Sequence, residues 1–155
     1  MAMRADPDRP GEGIVRAALA GTAVFVASCA AMAAAPEVAV GVGVAVSFVL
    51  FLLGCAAFIV GFLRAVERSR SEEIHLAGLF FLAGTAPRRT RWLLLGSWVA
   101  QIVAALAAAS ARPFTPVAFA TLAPVYGLGL AALWGARHAR FPRRGGRGTA
   151  EVPST

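Results

Sequence analysis

The sequence has no lysine, and charged residues of either sign are scarce. They make up only 15% of its 155 residues, whereas 58% are hydrophobic. A soluble domain averages about a quarter charged residues, so this composition indicates a lipid environment. It also argues against a nucleic-acid-binding protein, because such a protein clusters its basic residues on a soluble face with aromatics between them.

Acidic residues are absent from every long apolar segment. The eight that occur lie in the turns, the central loop and the terminal stretches. Proton-coupled pumps usually carry a carboxylate or a histidine within the membrane. The chain therefore departs from the small four-helix multidrug exporters, which depend on such a carboxylate.

Cysteine and histidine are too few to predict a metal or a redox centre. Cys29 and Cys55 both lie inside apolar segments, and we expect two small buried residues, because their depths in the helices differ by more than a disulfide allows. His75 and His138 lie at segment ends, without partners at metal-ligand spacing. No Cys-x-x-Cys, Gly-x-Ser-x-Gly or phosphate-binding glycine loop occurs, so we predict no catalytic residue, cofactor or metal.

Four apolar segments are long enough to cross a hydrocarbon core of about 30 Å as helices. The predicted fold class is therefore an all-α membrane protein with four transmembrane helices. The stretches at residues 1–13 and 137–155 are predicted to be disordered tails, the second of them basic. The predicted spans of the membrane domain, residues 14–136, are residues 14–35, 38–63, 92–111 and 114–136.

The first apolar segment also allows two other interpretations. Ala31-Met32-Ala33 resembles the small-residue cleavage site of a signal peptide, and the residues before Cys29 loosely fit a lipidation motif. The segment is long for a signal sequence and three more follow, so we favour a membrane span.

Small residues recur on two of the segments and predict close helix packing, because small side chains let helix backbones approach each other in lipid. On the second segment they are Gly43, Ser47, Gly54, Ala57 and Gly61. On the third they recur every four residues, as Gly96, Ala100, Ala104 and Ala108.

Three residues of the third and fourth segments are candidates for a polar cavity. Gln101 lies near the centre of its segment, where an amide either bonds to another helix or lines a permeation path. Pro124 removes a helical hydrogen bond to the carbonyl of Ala120 and predicts a kink, next to Tyr126.

The central loop, residues 64–91, combines charge with an apolar block. Ile74 to Ala86 is apolar on all sides, yet as a helix its 13 residues would reach only about 20 Å. We expect a re-entrant or interfacial segment, or one packed under the bundle. Arg88, Arg89 and Arg91 follow it and are candidate contacts for anionic lipid headgroups.

The distribution of arginines predicts the orientation. With four spans, fourteen of the fifteen arginines fall on one side, and only Arg112 falls on the other. The positive-inside rule then places both termini and the central loop in the cytoplasm, and the protein in a bacterial plasma membrane.

Three blocks, residues 71–96, 112–138 and 141–144, carry a family resemblance. They read SEEIHLAGLFFLAGTAPRRTRWLLLG, RPFTPVAFATLAPVYGLGLAALWGARH and FPRR. The chain resembles small uncharacterised multi-pass integral membrane proteins of actinobacteria. The resemblance implies a multi-pass inner-membrane protein and no catalytic residues.

Three functions are compatible with these features. The leading one is a non-enzymatic accessory or assembly subunit that packs against a partner membrane protein or a second copy of itself. The second is a transporter or lipid-handling protein with a cavity near Gln101, Pro124 and Tyr126. The third is an enzyme on cell-envelope lipids that holds phosphates with Arg88, Arg89 and Arg91.

Overall fold

The computed structural model describes residues 11–72, 76–111 and 115–141. It is 85% helical, and the described residues form no strand. Four helical segments are long and apolar enough to cross a membrane, which confirms the predicted fold class. The elements in chain order are α1 (Glu12–Ala34), α2 (Pro36–Arg68), α3 (Leu76–Phe80), α4 (Arg88–Ala111), a 3₁₀ helix (Pro116–Leu122) and α5 (Pro124–His138).

The predicted tails fall largely outside the described residues, and so do Ile74, His75 and the turn at residues 112–114. At the start of the described chain, Gly11 adopts a left-handed conformation with φ of 74°, and α1 follows directly. Glu12 is already helical, so α1 begins two residues before the predicted span.

The turn between α1 and α2 is shorter than the sequence predicts. Only Ala35 separates the two helices, and its N–H donates to the carbonyl of Ala31 at 2.9 Å. Pro36, predicted to lie in the turn, instead begins α2. A proline suits that position because the N–H it lacks would have no partner in the first helical turn.

The four spans form a closed ring. α1 packs between α2 and α4, and α5 completes the ring by packing against α2 and α4. The fourth span is the most enclosed: 56% of its most apolar stretch is buried, against 28–33% for the other three. The largest fully buried side chains include Phe25, Met32, Leu94 and Trp134.

Most of the small-residue face predicted on α2 packs inside the protein. Gly43 lies against the side chain of Met32 of α1, and Gly54 and Gly61 lie against the backbone of α5. Ser47 is buried and donates to the carbonyl of Gly43 at 2.8 Å. The face therefore joins α2 to its own neighbours, and only Ala57 among the five residues is half-buried.

The fourth span is not the single kinked α-helix that Pro124 predicts. It changes helix type: a 3₁₀ helix runs to Leu122, and Pro124 is the first residue of α5. The carbonyl of Ala120, which Pro124 cannot reach with an N–H, accepts the N–H of Ala123 at 3.1 Å. The tighter 3₁₀ bonding therefore satisfies the carbonyl that the proline leaves free.

Within its described part, residues 76–86, the apolar block of the central loop is helical at Leu76–Phe80. The chain then turns through Leu82 and Gly84, with φ of 54° and 71°. Leu79 and Leu82 are buried and pack with the bundle. The described part of this block therefore packs with the helical bundle through its two buried leucines.

The tip of the block reaches back along the bundle. Phe80 stacks on Phe58 of α2 with ring centroids 5.7 Å apart, and Phe81 lies 6.3 Å from Trp98 of α4. Thr85 fixes the following turn by donating to the carbonyl of Gly78 at 2.9 Å.

Candidate functional site

Gln101 links three helices through its side chain. It is fully buried, and its Nε2 donates to Oγ1 of Thr22 in α1 at 2.6 Å. Its Oε1 accepts the backbone N–H of Gly127 in α5 at 3.2 Å. Thr22 in turn donates to the carbonyl of Ala18 at 2.8 Å. Of the two roles that the sequence allows this amide, the structure shows the interhelical hydrogen bond.

Tyr126 makes a second connection to α1. Its ring is buried, and its hydroxyl donates to the carbonyl of Ala17 at 2.8 Å. Gly21 makes room for the ring, since a Cβ at that position would lie 2.9 Å from the tyrosine oxygen. Gln101 and Tyr126 thus bind the same stretch of α1, at positions five residues apart.

Pro124 contributes backbone geometry to this cluster. It is half-buried and begins α5, two residues before Tyr126. The structure therefore brings the three predicted residues together, and the polar groups of Gln101 and Tyr126 are both engaged with protein atoms. Such a cluster can fix the position of α1 against α4 and α5, because buried polar groups in lipid bind each other across helices.

Arg68 forms a contact that the sequence analysis missed. Its guanidinium donates to the carbonyls of Ala136 and Ala139 at 2.8 and 3.0 Å, and to Glu72 at 2.6 Å. Its Cζ also lies 5.6 Å from the ring centre of Phe141. A cation at the end of a helix stabilises the carbonyls that lack helical partners there. Arg68 thereby fastens the end of α2 to the end of α5.

His138 is the histidine that the structure describes. The ring of His138 lies 5.5 Å from that of Trp134, at the end of α5, and His75 is outside the described residues. In the part of the chain that is described, no group of three or more histidine, cysteine or acidic side chains has a metal-binding arrangement. Cys29 is buried as expected, but Cys55 is partly exposed, which corrects the prediction that both are buried.

Two of the three arginines predicted to contact lipid headgroups share a groove at the start of α4. The groove has a volume of about 360 Å³ and is lined by Arg88, Arg91, Trp92, Leu95, Gly96 and Val99. Arg89 is exposed but does not line it. Neither Arg88 nor Arg91 forms an ion pair with an acidic residue in the described segments.

The small-residue ladder predicted on α4 does not stay on one face. Gly96 and Ala100 are exposed, Ala104 is half-buried and Ala108 is buried. Steps of four residues advance about 40° beyond a full turn, because a helix turns about 100° per residue. A stripe of alanines follows steps of four and three instead: Ala100, Ala107 and Ala111 are exposed, and Ala104 between them is half-buried and packs against the core.

Comparison with known proteins provides no relative from which a function could be transferred. No family model, no curated protein and no solved structure matches the chain. The geometry of the helices, the arginines and the exposed alanine stripe is therefore the basis for a functional proposal.

Proposed function

We propose that the protein is a non-enzymatic accessory or assembly subunit of a bacterial plasma membrane, which binds another membrane protein or a second copy of itself through α4. The contact surface is the alanine stripe formed by Ala100, Ala104, Ala107 and Ala111. The observation that supports this proposal is the exposure of Ala100, Ala107 and Ala111, with Ala104 half-buried between them.

Small residues at the surface of a membrane helix allow a second helix to approach closely, and association in lipid depends on such packing. Gly43, Gly54 and Gly61 of α2 cannot serve this purpose, because α1 and α5 already lie against them. The outer face of α4 has no such neighbour at Gly96, where a Cβ would meet no atom within 4 Å. The alanine stripe continues from this open region toward the end of the helix.

The partner contact is tested by crosslinking within native membranes. In a background with Cys29 and Cys55 replaced by alanine, we expect Ala107→Cys to give a crosslinked product heavier than the monomer. Val42→Cys is the matched control, because Val42 is 66% exposed and lies near the same end of the bundle on α2. Monomer alone from both variants, or equal crosslinking from both, would contradict the proposal.

The proposed orientation places both termini and the central loop in the cytoplasm. Its support is the excess of arginines on one side, fourteen against one, which the positive-inside rule assigns to the cytoplasm. The resemblance to actinobacterial membrane proteins agrees with a plasma-membrane location.

Labelling of intact cells tests the orientation. In the same cysteine-free background, we expect Glu37→Cys, at the exposed start of α2, to react with a membrane-impermeant maleimide added outside. Ser71→Cys, exposed in the central loop, should react only after the cells are opened. The reverse pattern would refute the proposed topology.

A further inference from the structure

We propose that the groove at the start of α4 binds one anionic phospholipid from the leaflet that Arg88 and Arg91 face. The phosphate would lie between the two guanidinium groups, and an acyl chain would follow the apolar floor past Leu95 and Gly96 toward Val99. The proposal does not depend on the partner contact, because none of the residues in the alanine stripe lines this groove.

The charged end of the groove has the chemistry of a phosphate site. Arg88 and Arg91 are three residues apart on one helix, so they lie on the same side, about one turn from each other. Both are exposed, and neither is neutralised by a carboxylate of the described residues. Guanidinium groups bind phosphate oxygens through paired hydrogen bonds, so two of them can hold one headgroup.

The rest of the groove has the polarity of a lipid tail. Between Arg88 and Val99 the helix rises about 16 Å, and the other lining residues along that path are Trp92, Leu95 and Gly96. A soluble phosphate compound would gain nothing from this apolar floor. The charge at one end and the hydrocarbon at the other match a phospholipid in its membrane orientation.

Two residues give the groove its shape. Trp92 is 73% exposed, and an indole at headgroup level is a common interfacial anchor. Gly96 has no atom within 4 Å of the position a Cβ would occupy, so the floor of the groove is open at this point. A side chain there would occupy the path of the acyl chain without disturbing the bundle.

Spin-label electron paramagnetic resonance tests the site on the purified full-length protein in phosphatidylcholine vesicles. The measured quantity is the association constant of spin-labelled phosphatidylglycerol relative to that of spin-labelled phosphatidylcholine. We expect Arg88→Gln with Arg91→Gln to reduce this ratio about fivefold or more, since the loss of even one direct hydrogen bond from a charged donor to the phosphate costs roughly this factor.

The control variant is Arg64→Gln with Arg70→Gln, which removes the same charge from two exposed arginines outside the groove. We expect it to change the ratio by less than about twofold, because these side chains add only to the diffuse surface potential. An equal loss in both double variants would overturn the proposal, since unspecific attraction would then explain the preference.

Gly96→Leu tests the acyl part of the site with every charge retained. We expect it to lower the same ratio while the thermal unfolding midpoint stays near that of the parent protein. If a folded Gly96→Leu protein kept the wild-type ratio of the two lipid association constants, the groove would not be the binding site and the proposal would be overturned. This variant also keeps the test decisive if the arginine double variant fails to fold.

Discussion

Replacing Gly54 by alanine should lower the free energy of unfolding by about 3 kcal/mol, at the upper end of what overpacking normally costs. The added Cβ would lie 2.5 Å from the backbone nitrogen of Tyr126 and 2.6 Å from its Cα. These are backbone atoms of a helix, so they cannot rotate away as the end of a flexible side chain could. The backbones of α2 and α5 would have to move apart at this contact.

The measurement is equilibrium unfolding in mixed micelles, followed by circular dichroism. Gly41→Ala is the matched control, because Gly41 lies in the same helix and a Cβ there meets no atom within 4 Å. It should leave stability unchanged or raise it slightly, since alanine is the better helix former. Equal stability of the two variants would show that the close approach of α2 and α5 is not needed.

The second large effect is expected at Arg68. Its replacement by alanine should destabilise the protein by about 2 kcal/mol, because a charged donor to two backbone carbonyls and a carboxylate is lost. The arginine and Glu72 side chains are only 27% and 24% exposed, so water replaces these bonds incompletely. We also expect the end of α5 to fray, which hydrogen exchange at Ala139 would report through its N–H bond to Gly135.

Arg70→Ala provides the comparison for this effect. Arg70 is exposed two residues further on, and its removal changes the net charge by the same amount. The free energy of unfolding of the Arg70→Ala protein should stay within about 0.5 kcal/mol of that of the parent protein. Arg68→Lys should fall between the two, because an ammonium keeps the charge but lacks the planar fork that reaches both carbonyls. If Arg68→Ala and Arg70→Ala had the same free energy of unfolding, the contact of Arg68 with α5 would contribute nothing to stability.

Hydropathy and length predict the four spans because each must supply about 20 apolar residues on its own. Hydropathy and length do not predict which helix packs against each face. Gly54 and Gly61 reveal a close contact in the sequence, but not that α5 is the helix that uses it. The small residues at four-residue spacing on α4 do not share one face, because a four-residue step drifts around the helix. Which of them are buried depends on where the neighbouring helices lie.

The sequence also does not identify the hydrogen-bond partners of the buried polar residues. Gln101 is recognisable as an interhelical bond because an amide in lipid needs a partner, yet its partners include the backbone N–H of Gly127, which has no side-chain signature. The contact of Arg68 with α5 has no signature in the sequence either, because its principal acceptors are the carbonyls of two alanines. Pro124 predicts a kink, whereas the change from a 3₁₀ helix to α5 depends on the hydrogen bond from the N–H of Ala123 to the carbonyl of Ala120.

The enclosed position of the fourth span has a consequence for biogenesis. This span follows the other three in the chain, so α1, α2 and α4 are synthesised before the helix that packs against all three of them. Until then, Gln101 lacks the N–H of Gly127 and Gly54 faces an empty site. The first three spans can therefore pack with each other through α1, but their contacts with the fourth form only after its synthesis.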